Sequence, residues 1–87
     1  MVTLRLIVKV KYPNLSQDGI FTTVILVNDE RVNTMLPERG PLVNAPRRAQ
    51  AWLIGRKLLP AAWPRETLAE QCHRLGIDLR VSEREIE

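Results

Sequence analysis

The stretch from Val2 to Tyr12 constrains the fold more than any other. Val2, Leu4, Leu6, Val8, Val10 and Tyr12 alternate with Thr3, Arg5, Ile7, Lys9 and Lys11, and a period of two puts the two sets on opposite faces of a strand. One face is apolar and has to be covered. The other carries three cations and predicts contact with water. A chain that opens on such a strand needs a sheet with a layer packed on one side.

Length limits what that layer can be. The chain has 87 residues and a mass of 10.0 kDa, which predicts a single domain over residues 1–87 that buries roughly 64% of the surface of the unfolded chain. Hydrophobic residues at 45% and charged residues at 26% are globular values and exclude wholesale disorder or a collagen-like repeat. The single Cys72 cannot form an internal disulfide, and no Cys/His cluster offers a zinc site, so the fold is expected to stand on packing alone. A lone thiol suits a reducing compartment. Arg5, Lys9 and Lys11 interrupt the apolar residues where a signal peptide would need them continuous, and no apolar run approaches the ~18 residues of a membrane span. A cytoplasmic protein with no membrane partner is therefore expected, and Asn14-Leu15-Ser16 is read as a chance glycosylation sequon.

Further along, Pro13 to Gly19 has turn chemistry. Ile20 to Val27 is apolar on both faces, which predicts a central strand covered twice. Asn28-Asp29-Glu30 predicts a short turn to a hairpin partner over Arg31 to Leu36. The segment from Leu36 to Pro46, with three prolines and a glycine, reads as a loop. Pro46 suits the start of a helix over Arg47 to Leu59, whose apolar residues spread around the axis and leave Gln50 and Lys57 as the polar sector. Gly55 inside that helix marks a close approach or a break. Pro64 is expected to start a second helix with a stripe of Leu68, Cys72 and Leu75, ended by Gly76. Ile77, Leu79 and Val81 then alternate as a last strand, and Ser82 to Glu87 reads as solvated. The expected fold is α+β: a four-stranded, mainly antiparallel sheet with two helices on one face, in the order β-β-β-α-α-β.

Catalytic readings fail on geometry. Cys72 and His73 are adjacent on a helix and point about 100° apart, so they cannot act as a dyad; Cys72 is expected in the core and His73 at the surface. Glu66, Glu70, Asp78, Glu83, Glu85 and Glu87 fall on helix starts, strand alternation and tail, without an acid/base pair. Gly40 and Gly55 are isolated and form no phosphate loop. The two helices before Leu75-Gly76-Ile77 lack a basic third helix and so do not make a helix-turn-helix. A non-catalytic, cofactor-free and metal-free protein is expected.

Charge points to partners. Thirteen Lys and Arg against ten Asp and Glu give a net charge of +3. Eleven of the cations and six of the acids precede Gly76, while two cations and four acids follow it, so the body is basic and the tail acidic. The leading expectation is a protein-binding regulator, inhibitor or accessory subunit. Its contacts would be Arg47, Arg48, Trp52, Arg56, Lys57 and Trp63, and its excess apolar surface would make it a homo-oligomer. The alternative is a nucleic-acid-binding regulator that uses Arg5, Lys9, Lys11, Arg31 and Asn33 on the open sheet face together with the first-helix arginines. That face has no aromatic residue, which argues against base stacking.

Overall fold

A computed structural model of the chain describes residues 2–11 and 19–85. Its elements are β1 (Thr3–Lys11), β2 (Gly19–Val27), β3 (Glu30–Thr34), β4 (Glu38–Gly40), α1 (Asn44–Gly55), α2 (Leu68–Leu75) and β5 (Asp78–Glu85). Tyr12, all of the expected Pro13–Gly19 turn except Gly19, and residues 86–87 lie outside the described residues. The fold is α+β, with two helices and a mixed five-stranded sheet ordered β3-β2-β1-β5, and β4 pairs with the far end of β2. Among the described residues no helix is long and apolar enough to cross a membrane.

The alternation of β1 sets the layers. Leu4, Leu6, Val8 and Val10 are buried and share their face with Val27, Ile25, Thr23 and Phe21 of antiparallel β2. The helices cover this face. One core cluster joins Leu4, Leu6 and Ile25 to Ala49 and Leu53 of α1 and Leu68 and Cys72 of α2, and a second joins Val8, Val10 and Phe21 to Ala45. Cys72 is buried in the core as expected, and His73 is exposed. Asn28 and Asp29 have φ of 50° and 67°, the left-handed pair that a two-residue hairpin turn requires. Asn28 also fastens the turn to β1: Thr3 N donates to Asn28 Oδ1 at 2.9 Å, and Asn28 N donates to Thr3 O at 2.8 Å.

Several boundaries depart from the sequence reading. The proline-rich segment is not all loop, because Glu38–Gly40 sits between Pro37 and Pro41 and pairs with β2 as a fifth strand. β5 runs parallel to β1 from Asp78 to Glu85, so Ser82 to Glu85 is strand: pairing of the backbone holds it although the side chains are exposed. A parallel neighbour needs a crossover, and the α1–α2 layer supplies it. α1 starts at Asn44 rather than Arg47 and ends at Gly55 rather than Leu59. Nothing lies within 4 Å of a Cβ placed on Gly55, so this glycine marks a break and not a close approach. α2 starts at Leu68 rather than at Pro64, because Thr67 and Glu70 form a reciprocal capping box there. Gly76 closes the helix in the left-handed conformation, as its sequence position predicted.

The polar sector assigned to Gln50 is also corrected. Gln50 and Gln71 are both buried. Gln50 Nε2 donates to Gln71 Oε1 at 3.0 Å and lies 3.2 Å from Glu66 O, while Gln71 Nε2 donates to Pro60 O at 2.8 Å. This network satisfies the carbonyls of the interhelical segment where it crosses the core edge. Leu75, expected on the buried stripe, is instead partly exposed.

Candidate nucleic-acid interface

The second face of the sheet has no covering layer among the described residues. β2 was expected to be covered on both sides; here Ile20, Thr22, Val24 and Leu26 face away from the helices, opposite Lys11, Lys9, Ile7 and Arg5 of β1. Val24 reaches 8% exposure through its flanking neighbours in the sheet, since it lies in register with Ile7 on one side and Thr34 on the other. The centre of this face is therefore apolar and shallow.

Cations surround that centre. β1 contributes Arg5, Lys9 and Lys11. The register adds Arg31 beside Leu26, Arg39 beside Ile20, and Arg80 and Arg84 of β5 beside Arg5 and Lys9. Seven basic side chains thus share one face. The described acids on it are Asp29 and Asp78, both at one end and both engaged: Arg5 lies 3.7 Å from Asp29, and Arg80 Nε donates to Asp78 at 3.1 Å. Glu38, Glu83 and Glu85 are in register with Phe21, Val8 and Val10 and so fall on the helix side. Along β4 and β5, strand alternation puts Glu38, Glu83 and Glu85 on the helix side and Arg39, Arg80 and Arg84 on the open side.

Of the residues read as a nucleic-acid surface, Arg5, Lys9, Lys11 and Arg31 come together. Asn33 does not. A bulge between Ile25 and Leu26 shifts the β2–β3 register, which puts Asn33 opposite Ile25 on the helix side, in a hollow with Trp52 and Arg56. Arg39, Arg80 and Arg84 escaped the sequence reading. Arg39 stood in a segment read as loop, and the acidic tail hid the alternation of Asp78, Arg80, Ser82 and Arg84. That period was legible; the parallel pairing that brings it beside β1 was not.

The residues read as protein contacts are spread over separate places in the helical layer. Arg48 is held by Glu38 at 3.2 Å and donates to Leu36 O. Trp52 is half-buried against the core, with Arg56 over its ring at 5.5 Å. Lys57 follows the end of α1 with a φ of 61°. Trp63 is 62% exposed and is stacked by Arg74 at 4.1 Å. Arg47 lines a cleft of about 720 Å³ between α1, α2 and β5, walled by Val43, Pro46, Leu68 and Val81.

Glu66 was placed by sequence in a helical first turn; it precedes α2 and instead anchors Arg74, whose Nε and Nη2 donate to its two carboxylate oxygens at 2.7 and 2.8 Å. The Arg74 hydrogen bonds hold the Glu66 carboxyl below its ordinary range, against the opposing effect of desolvation. Burial pushes the Cys72 thiol up, away from the thiolate that nucleophilic chemistry needs. Among the described residues no group of three His, Cys, Asp or Glu side chains could hold a metal ion.

No family model matches the chain, and no curated protein or solved structure matches it.

Proposed function

We propose that the protein is a non-catalytic nucleic-acid-binding module whose open sheet face lies on the phosphate backbone. The observation that carries this reading is the segregation of charge among the described residues: seven cations on one face, with two acids confined to one end and already paired. A net charge of +3 understates such a face, because a polyanion feels the local field and not the total. The apolar strip of Ile7, Val24 and Leu26 lowers the dielectric between the cations and strengthens each of them. With no aromatic side chain on this face among the described residues, contact falls on phosphates and sequence discrimination is weak.

The test is the salt dependence of binding to duplexes of unrelated sequence. Each neutralised phosphate contributes about −0.9 to the log–log slope, so full engagement of this face gives a slope of about −6, with similar affinity for every sequence. A flat salt response, or no binding at low salt, would remove the reading.

A protein partner is the second reading, favoured by the apolar cleft between α1, α2 and β5 and by exposed Trp63. Self-association belongs to this reading. Sedimentation equilibrium at micromolar concentration tests it, since a 10.0 kDa species throughout would leave the cleft without a second copy.

A further inference from the structure

The β1–β5 half of the open face carries an arrangement that general basicity does not explain. β5 is parallel to β1 with Arg5 in register with Arg80 and Lys9 in register with Arg84. Directly opposed strand residues sit about 4.8 Å apart across the ladder, and like charges in that position destabilise a sheet. Two such pairs occur in succession. Between them lie Ile7 and Ser82, also in register, and above them is a hollow of about 290 Å³ lined by Arg5, Ile7, Arg80, Ser82 and Arg84. Arg80 and Arg84 each stand two residues from Ser82, about 6.6 Å along the strand, within the reach of an arginine side chain toward a group above the serine hydroxyl. Arg84 makes no ion pair among the described residues.

From this geometry we infer that the hollow is a phosphate seat, in which the guanidinium groups of Arg5, Arg80 and Arg84 and the hydroxyl of Ser82 hold one tetrahedral phosphate group of the nucleic-acid backbone. The inference rests on the nucleic-acid reading and sharpens it, because it gives one part of a broadly basic face a defined contact. Arginine supplies planar, multidentate donation to phosphate oxygens where lysine supplies a point charge, and the hollow gathers Arg5 of β1 with Arg80 and Arg84 of β5, whereas β1 continues beyond it with Lys9 and Lys11. An anion between the opposed cations also cancels the repulsion that the ladder otherwise carries. The exposed pairs to Asp29 and Asp78 are weak enough to yield to it.

The experiment compares two double variants of the full chain that remove equal charge from the same face: Arg80→Gln with Arg84→Gln in the hollow, and Lys11→Gln with Arg39→Gln away from it. Binding is read by fluorescence anisotropy with a labelled DNA duplex, and separately by amide chemical shifts during titration with inorganic phosphate. The hollow variant is expected to lose about tenfold or more in duplex affinity for each strong contact removed, well beyond the loss in the Lys11/Arg39 variant. Inorganic phosphate is expected to shift the amides of residues 80–84 in the wild type and not in the hollow variant. Equal losses in the two variants, with no phosphate shift at 80–84, would overturn the seat while leaving the basic face as a binder. Phosphate shifts at 80–84 without duplex binding would keep the seat and overturn its nucleic-acid source. The hollow variant is expected to melt close to the wild type, because the like-charge contacts it relieves offset the exposed Arg80–Asp78 pair it removes; a large drop in melting temperature would show that these arginines hold the fold and not a ligand.

Discussion

Leu6 and Ile7 are consecutive residues on one strand, and they meet opposite environments. Leu6 is fully buried in the cluster that joins the sheet to both helices. Ile7 is half-buried on the uncovered face, between Arg5 and Lys9 along the strand and between Val24 and Ser82 across it. The difference separates what each face is for. The helix side is specified by shape, where volume and close packing decide stability. The open side is specified by charge, where substitutions cost the fold little and are expected to cost binding much.

The largest effect that tests this contrast comes from the pair itself. Leu6→Ala should cost about 2–5 kcal/mol, the range for cavities in a packed core, and Ile7→Ala about 1 kcal/mol, as for a half-exposed side chain. Urea denaturation of both variants reads the difference, and equal losses would mean that the open face is packed rather than presented. Next in size is Gln71→Ala, which takes from the Gln50 amide one of its two acceptors, leaving Glu66 O, and removes the donor to Pro60 O. A loss of about 1–3 kcal/mol is expected from unsatisfied buried groups; a change near zero would show that this network only decorates the interface.

These two tests fall on residues that the sequence exposed unequally. The role of Leu6 follows from the alternation of Val2 to Val10, since a period of two leaves one choice of face. Gln50 and Gln71 carry no such signal: a glutamine in a helix reads as solvated until the path of the chain between the helices is known, and that path depends on where Gly55 breaks α1 and where Thr67 starts α2. Thr67 and Glu70 had the spacing of a capping box, which outweighs the proline at position 64 as a start signal. The same limit applies to the basic face. Arg5, Lys9 and Lys11 were visible from the period of one strand and Arg31 from a hairpin, because both are local. Arg80 and Arg84 join them through a parallel pairing across more than seventy residues of chain, which no local pattern encodes, and Asn33 was lost to a bulge that a strict alternation cannot anticipate.

The smallest expected effect contrasts the ion pairs of the two layers. Glu66 and Arg74 make a short two-pronged pair behind the helices, whereas Arg5 and Asp29 lie 3.7 Å apart and largely in solvent. The folded Glu66 carboxyl is held below its ordinary value of 4.5, so its contribution is fully present above that value and is lost as the pH falls through the lower folded value. The melting temperature of the wild type should therefore exceed that of Glu66→Gln at neutral pH, and the gap should close on acidification. Asp29→Asn should leave the melting temperature at neutral pH unchanged, because the pair it breaks is exposed. A gap between wild type and Glu66→Gln that persists in acid would show that Glu66 acts through shape and not charge.

The central claim is that binding resides in the face and not in the net charge of the chain, and charge-matched variants test it most directly. Arg5→Gln, Lys9→Gln and Lys11→Gln together remove three charges from the open sheet; Arg47→Gln, Arg56→Gln and Lys57→Gln together remove three from the helical layer. Duplex affinity measured across a salt series should fall for the sheet variant uniformly over unrelated sequences, with the salt slope reduced by up to about three, while the helical-layer variant stays near the wild type. Equal losses in both, or a greater loss in the helical-layer variant, would contradict the account.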